Sequence, residues 1–170
     1  NVLKTTINGY QMAYIDEIPK NKDKYINKTY LLIHGNPSWS FMFRKLIVQL
    51  KKKYRVIAID HIGCGNSDKP YYYNYSLTQH IENLSSFITK LQLSNIYLVV
   101  HDWGGPIGTG CFLNNKSLFK EIIYLNTSIF RNNIPLSIKV CKIPIIGSII
   151  NYNLGLFNLL ATYFTTFNKM

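Results

Sequence analysis

The stretch VVHDWGG, residues 99–105, constrains this chain more than any other. An apolar run stops at His101, an acid follows, and two glycines come after an indole. A buried strand, a sharp turn with a reactive side chain, and a helix opened by small residues form the nucleophile-elbow pattern. Gly104 is the small residue two places after Asp102 and lets helix and strand approach closely. Two places before it stands Val100, where the usual pattern has glycine. The plainer reading of Asp102 is an N-cap for the helix that follows.

The rest of the chain supplies the fold around that turn. Residues 1–16 read as a hairpin with Asn8-Gly9 as the turn. Thr29–Ile33, Arg55–Asp60, Asn95–His101 and Glu121–Asn126 read as buried strands. Between them, Trp39, Phe43, Leu46, Ile47 and Leu50 recur at helical spacing within 38–50. Ser76 with Gln79 reads as a capping box before a helix bearing Leu77, Ile81, Leu84, Ile88 and Leu91 on one face. Gly104–Phe112 reads as the next helix. Strands alternating with helices give an open, mostly parallel α/β sheet with helices on its faces. Chemistry in such sheets sits beyond the carboxyl ends of the strands. Those ends are His34-Gly35-Asn36-Pro37, Asp60-His61, His101-Asp102-Trp103 and Asn126-Thr127. We divide the chain into a core part, 1–128, and the start of a helical cap, 129–170, where apolar patches alternate with Asn, Pro and Gly.

Composition narrows the partners. The net charge is +11, yet Lys51-Lys52-Lys53 is the only lysine run, and Asn, Lys, Ile and Tyr share A/T-rich codons. No basic, aromatic-interleaved motif appears, so nucleic acid is not expected. The three cysteines, Cys64, Cys111 and Cys141, are odd in number and lack CxxC spacing. That argues against zinc and for a reducing, cytoplasmic setting. No metal and no cofactor is expected. No secretory h-region is visible at the start, and no apolar run reaches the roughly 18 residues of a membrane span. The apolar segment after 128 admits a weak membrane contact or association with a pathway enzyme, and it suits a hydrophobic small-molecule substrate.

A serine at the elbow needs a base before it attacks, whereas a carboxylate is already ionised at neutral pH. A carboxylate attacks saturated carbon bearing a leaving group: a halide, an epoxide or a strained lactone. The backbone N–H groups of Asn36 and Trp103 are candidates for an oxyanion hole. The Trp103 indole N–H and the Asn36 amide are neutral donors suited to holding a departing anion. His61, Pro37 and Phe130 are expected to line the site. Asp60 and Asp68 read as carboxylates that order a loop. Gly63-Cys64-Gly65 lacks the third glycine and the following helix of a dinucleotide fingerprint. The Tyr71–Tyr75 cluster reads as a packed surface loop.

HGNPSWSFMFR (34–44), DHIGCGNSDKP (60–70) and VVHDWGGPIG (99–108) resemble the α/β-hydrolase fold and, within it, the haloalkane dehalogenase-like branch. HDWGG is shared with epoxide hydrolases, which typically carry Phe where this chain has Asn36. DHIGCG with SDKP, LVVHDWGG, and YLNTSIF leading to Cys141-Lys142-Ile143-Pro144 resemble the β-lactone decarboxylases of bacterial long-chain olefin biosynthesis. That resemblance implies a cis-β-lactone with two alkyl chains as substrate and an olefin plus carbon dioxide as products. The alternative it leaves is a haloalkane dehalogenase; an epoxide hydrolase or an inactive remnant stands further off.

The resemblance also implies a triad acid and a histidine base. Asn126, Thr127 and Ser128 hold the place of one subfamily's acid, and none can serve. Fold members carry the histidine after the last strand. Of the four histidines, His34 reads as structural, His101 points away from Asp102, His61 sits at a neighbouring strand end, and His80 reads as exposed on its helix. None suits a general base. The expectation is a front part of an enzyme, ending before its triad acid and base and turning over nothing alone.

Overall fold

The computed structural model describes residues 1–19 and 27–127. Phe130 and the segment assigned to the cap lie outside the described residues. β1 (Val2–Ile7) and β2 (Tyr10–Glu17) pair antiparallel. Their turn takes left-handed backbone at Asn8 (φ 49°) and Gly9 (φ 88°), the conformation an Asn-Gly hairpin needs.

β3 (Thr29–Ile33), β4 (Arg55–Ile59), β5 (Ile96–His101) and β6 (Phe119–Leu125) complete a six-stranded sheet in the order β1-β2-β4-β3-β5-β6. β3 through β6 run parallel, and β2 meets β4 antiparallel. Among the described residues, three α-helices flank the sheet: α1 (Arg44–Leu50), α2 (Leu77–Lys90) and α3 (Gly104–Asn114). Alternation along each strand fills two cores. Leu31, Ile33, Ile57, Ile59, Leu98 and Val100 pack against Leu84, Phe87, Ile88 and Ile107 of α2 and α3. Leu32, Val56, Ala58 and Val99 face the other way, against Phe43 and Ile47.

Several local expectations shift. A 3-10 turn, Ser40–Phe43, precedes α1, with the Ser40 N–H donated to Asp60 at 2.8 Å. Only half of the capping box forms: the Gln79 N–H donates to Ser76 Oγ, while the Gln79 side chain reaches Glu82 and Asn83. Phe87, absent from the expected apolar face of α2, is fully buried, whereas Leu77 is exposed. β6 starts at Phe119, where that ring packs edge-on against Phe112, and it is not the buried strand expected: Phe119 is buried, while Tyr124 and Leu125 are exposed. The tyrosine cluster divides: Tyr71 and Tyr72 stand 88% and 90% exposed, while Tyr73 packs on the core. His80 is half-buried, its ring against His61 and Tyr73. Among the described residues, no helix is long and apolar enough to cross a membrane.

The strand order decides where a site can form. β4 lies on one side of β3 and β5 on the other. The chain reverses its direction of winding there, which opens a crevice beyond the ends of β3 and β5. Asn36 follows β3 and Asp102 follows β5.

Candidate active site

Asp102 occupies the turn between β5 and α3 with φ 50°, left-handed backbone that an L-residue adopts only at a cost of about 1–2 kcal/mol. Strain of this kind persists where surrounding structure overdetermines it. Here the Asp102 carbonyl accepts from the Gly105 N–H at 2.9 Å and from the Thr127 hydroxyl. The side chain does not cap α3, which has no side-chain cap bond. Asp102 Oδ1 instead accepts the Asn36 N–H at 2.9 Å, across the crevice. The N-cap reading of Asp102 therefore fails on geometry.

Two close approaches make this contact achievable. A methyl group at Gly104 would overlap the carbonyl oxygen of Ile33 and lie 2.9 Å from that of His34. A methyl at Gly35 would overlap the Asp102 carboxylate and sit 2.5 Å from the Trp103 nitrogen. Val100, the departure from the elbow pattern, finds its room in α3. Its Cγ1 lies 2.6 Å from where a side chain on Gly108 would begin. The space that a glycine in the strand would have left is provided by a glycine in the helix.

The carboxylate borders an open cleft of about 370 Å³ lined by Asp102, Trp103, Pro106, Asn126 and Thr127. This is the size range of small-molecule sites. Trp103 is 46% exposed, so its indole borders the cleft without being sealed into the core. Asn36 and Pro37 are exposed beside it, joined by a cis peptide. Pro106 and Thr127 escaped the sequence reading as site residues. The one signal for Thr127 was its position at a strand end; Pro106 reads in sequence only as a first-turn helix residue.

No histidine among the described residues hydrogen-bonds the Asp102 carboxylate. His34 is fully buried, and its ring nitrogens meet the Gly35 carbonyl at 2.9 Å and the His61 N–H at 3.0 Å. His61 is 4% exposed and lies outside the cleft lining, its Nε2 on the His34 carbonyl at 3.0 Å. Burial holds both rings below the ordinary histidine range, His61 well below it. Burial lowers His80 as well. His101 is half-buried, with Nδ1 enclosed and unpartnered among the described residues. Asp60, fully buried, accepts the N–H groups of Ser40 and Asn66, each at 2.8 Å, and Asp68 accepts that of Gln11. Both carboxylates order loops, as their positions suggested. Cys64 and Cys111 are free thiols, and burial raises both.

The sequence profile of the alpha/beta hydrolase fold matches residues 29–143. The cis-3-alkyl-4-alkyloxetan-2-one decarboxylase of Shewanella oneidensis is 38% identical over 154 residues, which cover 84% of this chain and 48% of that protein. A haloalkane dehalogenase of Psychrobacter cryohalolentis is 38% identical over 119 residues, covering 69% of this chain and 38% of that protein. The chain thus spans about half, or less, of the curated relatives it matches. Among solved structures, the haloalkane dehalogenase DatA from Agrobacterium tumefaciens C58 superposes with a TM-score of 0.79 at 22% identity, covering 92% of this chain and 54% of that one. At that identity the likeness speaks for the fold.

Proposed function

The chain belongs to the α/β-hydrolase fold family, and from that premise we propose that Asp102 is a covalent nucleophile that opens a cis-β-lactone carrying two alkyl chains. The observation that carries the reading is the Asp102 carboxylate itself. It sits at a strained elbow, declines the helix cap, and is held through one oxygen by the Asn36 N–H. With Oδ1 held, Oδ2 is the oxygen free to attack.

The step balances without water. Oδ2 bonds to the saturated, alkyl-bearing ring carbon attached to the ring oxygen, not to the carbonyl carbon. That carbon–oxygen bond breaks, and its electron pair leaves the ring oxygen as part of a free carboxylate. In this reading Asn36 and Trp103 hold the developing anion with neutral donors. The new carboxylate then departs as carbon dioxide, its bonding pair forms the carbon–carbon double bond, and the ester oxygen returns to Asp102 as carboxylate. The resemblance to a named oxetanone decarboxylase supports this substrate class.

A second reading shares the first step. The likeness to a haloalkane dehalogenase supports displacement of a halide by Oδ2, followed by hydrolysis of the ester. That hydrolysis needs an activated water.

Incubation with a dialkyl cis-β-lactone, read by intact mass and headspace gas chromatography, tests the proposal. Either an adduct equal to the whole lactone on the Asp102 peptide, or an olefin, absent in Asp102→Asn, supports it. Halide released from a bromoalkane, with only the alkyl group retained, supports the second reading. Neither adduct nor product, with lactone bound equally by Asp102→Ala, would make the chain a binding remnant of the fold.

A further inference from the structure

We propose that His34 and His61 are positioning residues that aim the Asn36 N–H at the Asp102 carboxylate by fixing the plane of a single peptide group. The inference rests on the reading of Asp102 as nucleophile and adds to it the device that orients its donor.

The Gly35 carbonyl and the Asn36 N–H belong to one planar unit and point in opposite directions. Three donors hold the carbonyl: His34 Nδ1 at 2.9 Å, Ser38 N–H at 3.0 Å and Ser38 Oγ at 2.9 Å. On the other side the N–H meets Asp102 Oδ1 at 2.9 Å. Whatever fixes the carbonyl therefore fixes the donor.

His34 can donate to that carbonyl only as the Nδ1-protonated tautomer. The tautomer is set from behind. The backbone N–H of His61 donates to His34 Nε2 at 3.0 Å, so Nε2 must carry a lone pair and the proton must sit on Nδ1. His61 closes the clasp by donating its own Nε2–H to the His34 carbonyl at 3.0 Å. The two rings lie 4.4 Å apart, joining the ends of β3 and β4 behind the crevice. A chain of defined donors thus runs from the end of β4, through an imidazole and a peptide, to the carboxylate at the end of β5.

Acid should open the chain. A second proton on His34 would place an N–H at Nε2 against the N–H of His61. Among the described residues, the charged or titratable groups around that ring are Asp60 and His61 at the end of β4, His80 on α2, and Asp102 at the elbow. Burial sets the ring's protonation below the ordinary value of about 6.5.

Two substitutions separate the halves of the device. His34→Asn keeps a donor near Nδ1 for the Gly35 carbonyl and loses the acceptor for His61. His34→Gln keeps an acceptor near Nε2 and loses the donor. Hydrogen exchange of the Asn36 amide reports the aim directly, without reference to catalysis. Protection should survive in His34→Asn and fall roughly tenfold or more in His34→Gln, the scale of a lost hydrogen bond to a charged group. In the native chain it should also fall on acidification, at a pH lower than that at which an ordinary imidazole takes up its proton, a limb that His34→Asn should lack. Adduct formation with the lactone should follow the same order. Unchanged protection in His34→Gln, or equal loss in both variants, overturns the proposal. If His34→Gln does not fold, nitrogen-15 spectra of the native His34 ring decide: an Nε2-protonated ring overturns it, and an Nδ1-protonated ring supports it. Absence of both adduct and olefin with the native chain, with the exchange pattern intact, would refute the nucleophile reading and leave the positioning device standing.

Discussion

Replacing Asp102 by alanine and by glycine isolates the strain at the elbow. Both substitutions remove the carboxylate and with it the hydrogen bond from Asn36. Both leave the backbone carbonyl that Gly105 and Thr127 hold. What differs is the residue forced to adopt φ 50°. For alanine, left-handed backbone costs about 1–2 kcal/mol, a cost that glycine does not carry. Glycine gives back about 0.5–1 kcal/mol through its greater freedom in the unfolded chain. Asp102→Gly should therefore be the more stable variant by about 0.5–1 kcal/mol, the reverse of the usual order. With a urea slope of about 2 kcal/mol per molar, the midpoint should rise by a few tenths molar. An alanine variant equal to or more stable than the glycine variant would refute the claim that the fold holds this residue against its preference. Neither variant should form a lactone adduct.

Other expectations follow from the same geometry. Gly104→Ala, ordinarily a gain of up to about 1 kcal/mol inside a helix, should instead destabilise by about 1–3 kcal/mol, because the methyl meets carbonyl oxygens of β3 that cannot move aside; urea midpoints measure it. Two ion pairs among the described residues should differ in weight. Arg55 grips Asp16 through two bonds of 3.0 and 2.7 Å, with side chains 26% and 14% exposed, and Asp16→Ala should cost about 1–2 kcal/mol. The Lys51–Glu17 pair is 38% and 30% exposed, and Glu17→Ala should cost under about 0.5 kcal/mol. Stability should also depend on pH through His34 and His61. Burial lowers both in the folded chain, so the unfolded chain takes up protons first as pH falls. Folding stability should be full above about pH 6.5 and decline below it, and identical urea midpoints at pH 7.5 and 5.5 would contradict that.

Much of the candidate site's geometry was legible because its signals are local. An apolar run, an acid and a glycine two places later predict a strand end, a turn and a close helix, and Asp102 is found there. Asn8-Gly9 and the Ser76 cap were equally local and equally present. Failures came where a side chain's fate depends on distant residues. His80 reads as a helix-surface histidine, yet the rings of His61 and Tyr73 pack over it. Phe87 falls off the expected stripe of α2, yet the ring of Tyr14, from the far-off hairpin, meets it edge-on at 5.1 Å. Val100 looked like a fault in the elbow, and only the proximity of Gly108 shows why it fits.

The sequence by itself determined that β3, β4 and β5 bury, which turns the chain needs, and that a carboxylate stands at the end of β5. Hydrophobic period and turn chemistry act over a few residues and can be read there. Only the tertiary structure decided that β3 lies between β4 and β5, and so that the Asn36 N–H faces Asp102. It also decided that a histidine at the end of β4 sets the tautomer of one at the end of β3. Strand order and hydrogen-bond direction depend on packing between residues far apart in sequence, and local sequence patterns do not encode that packing.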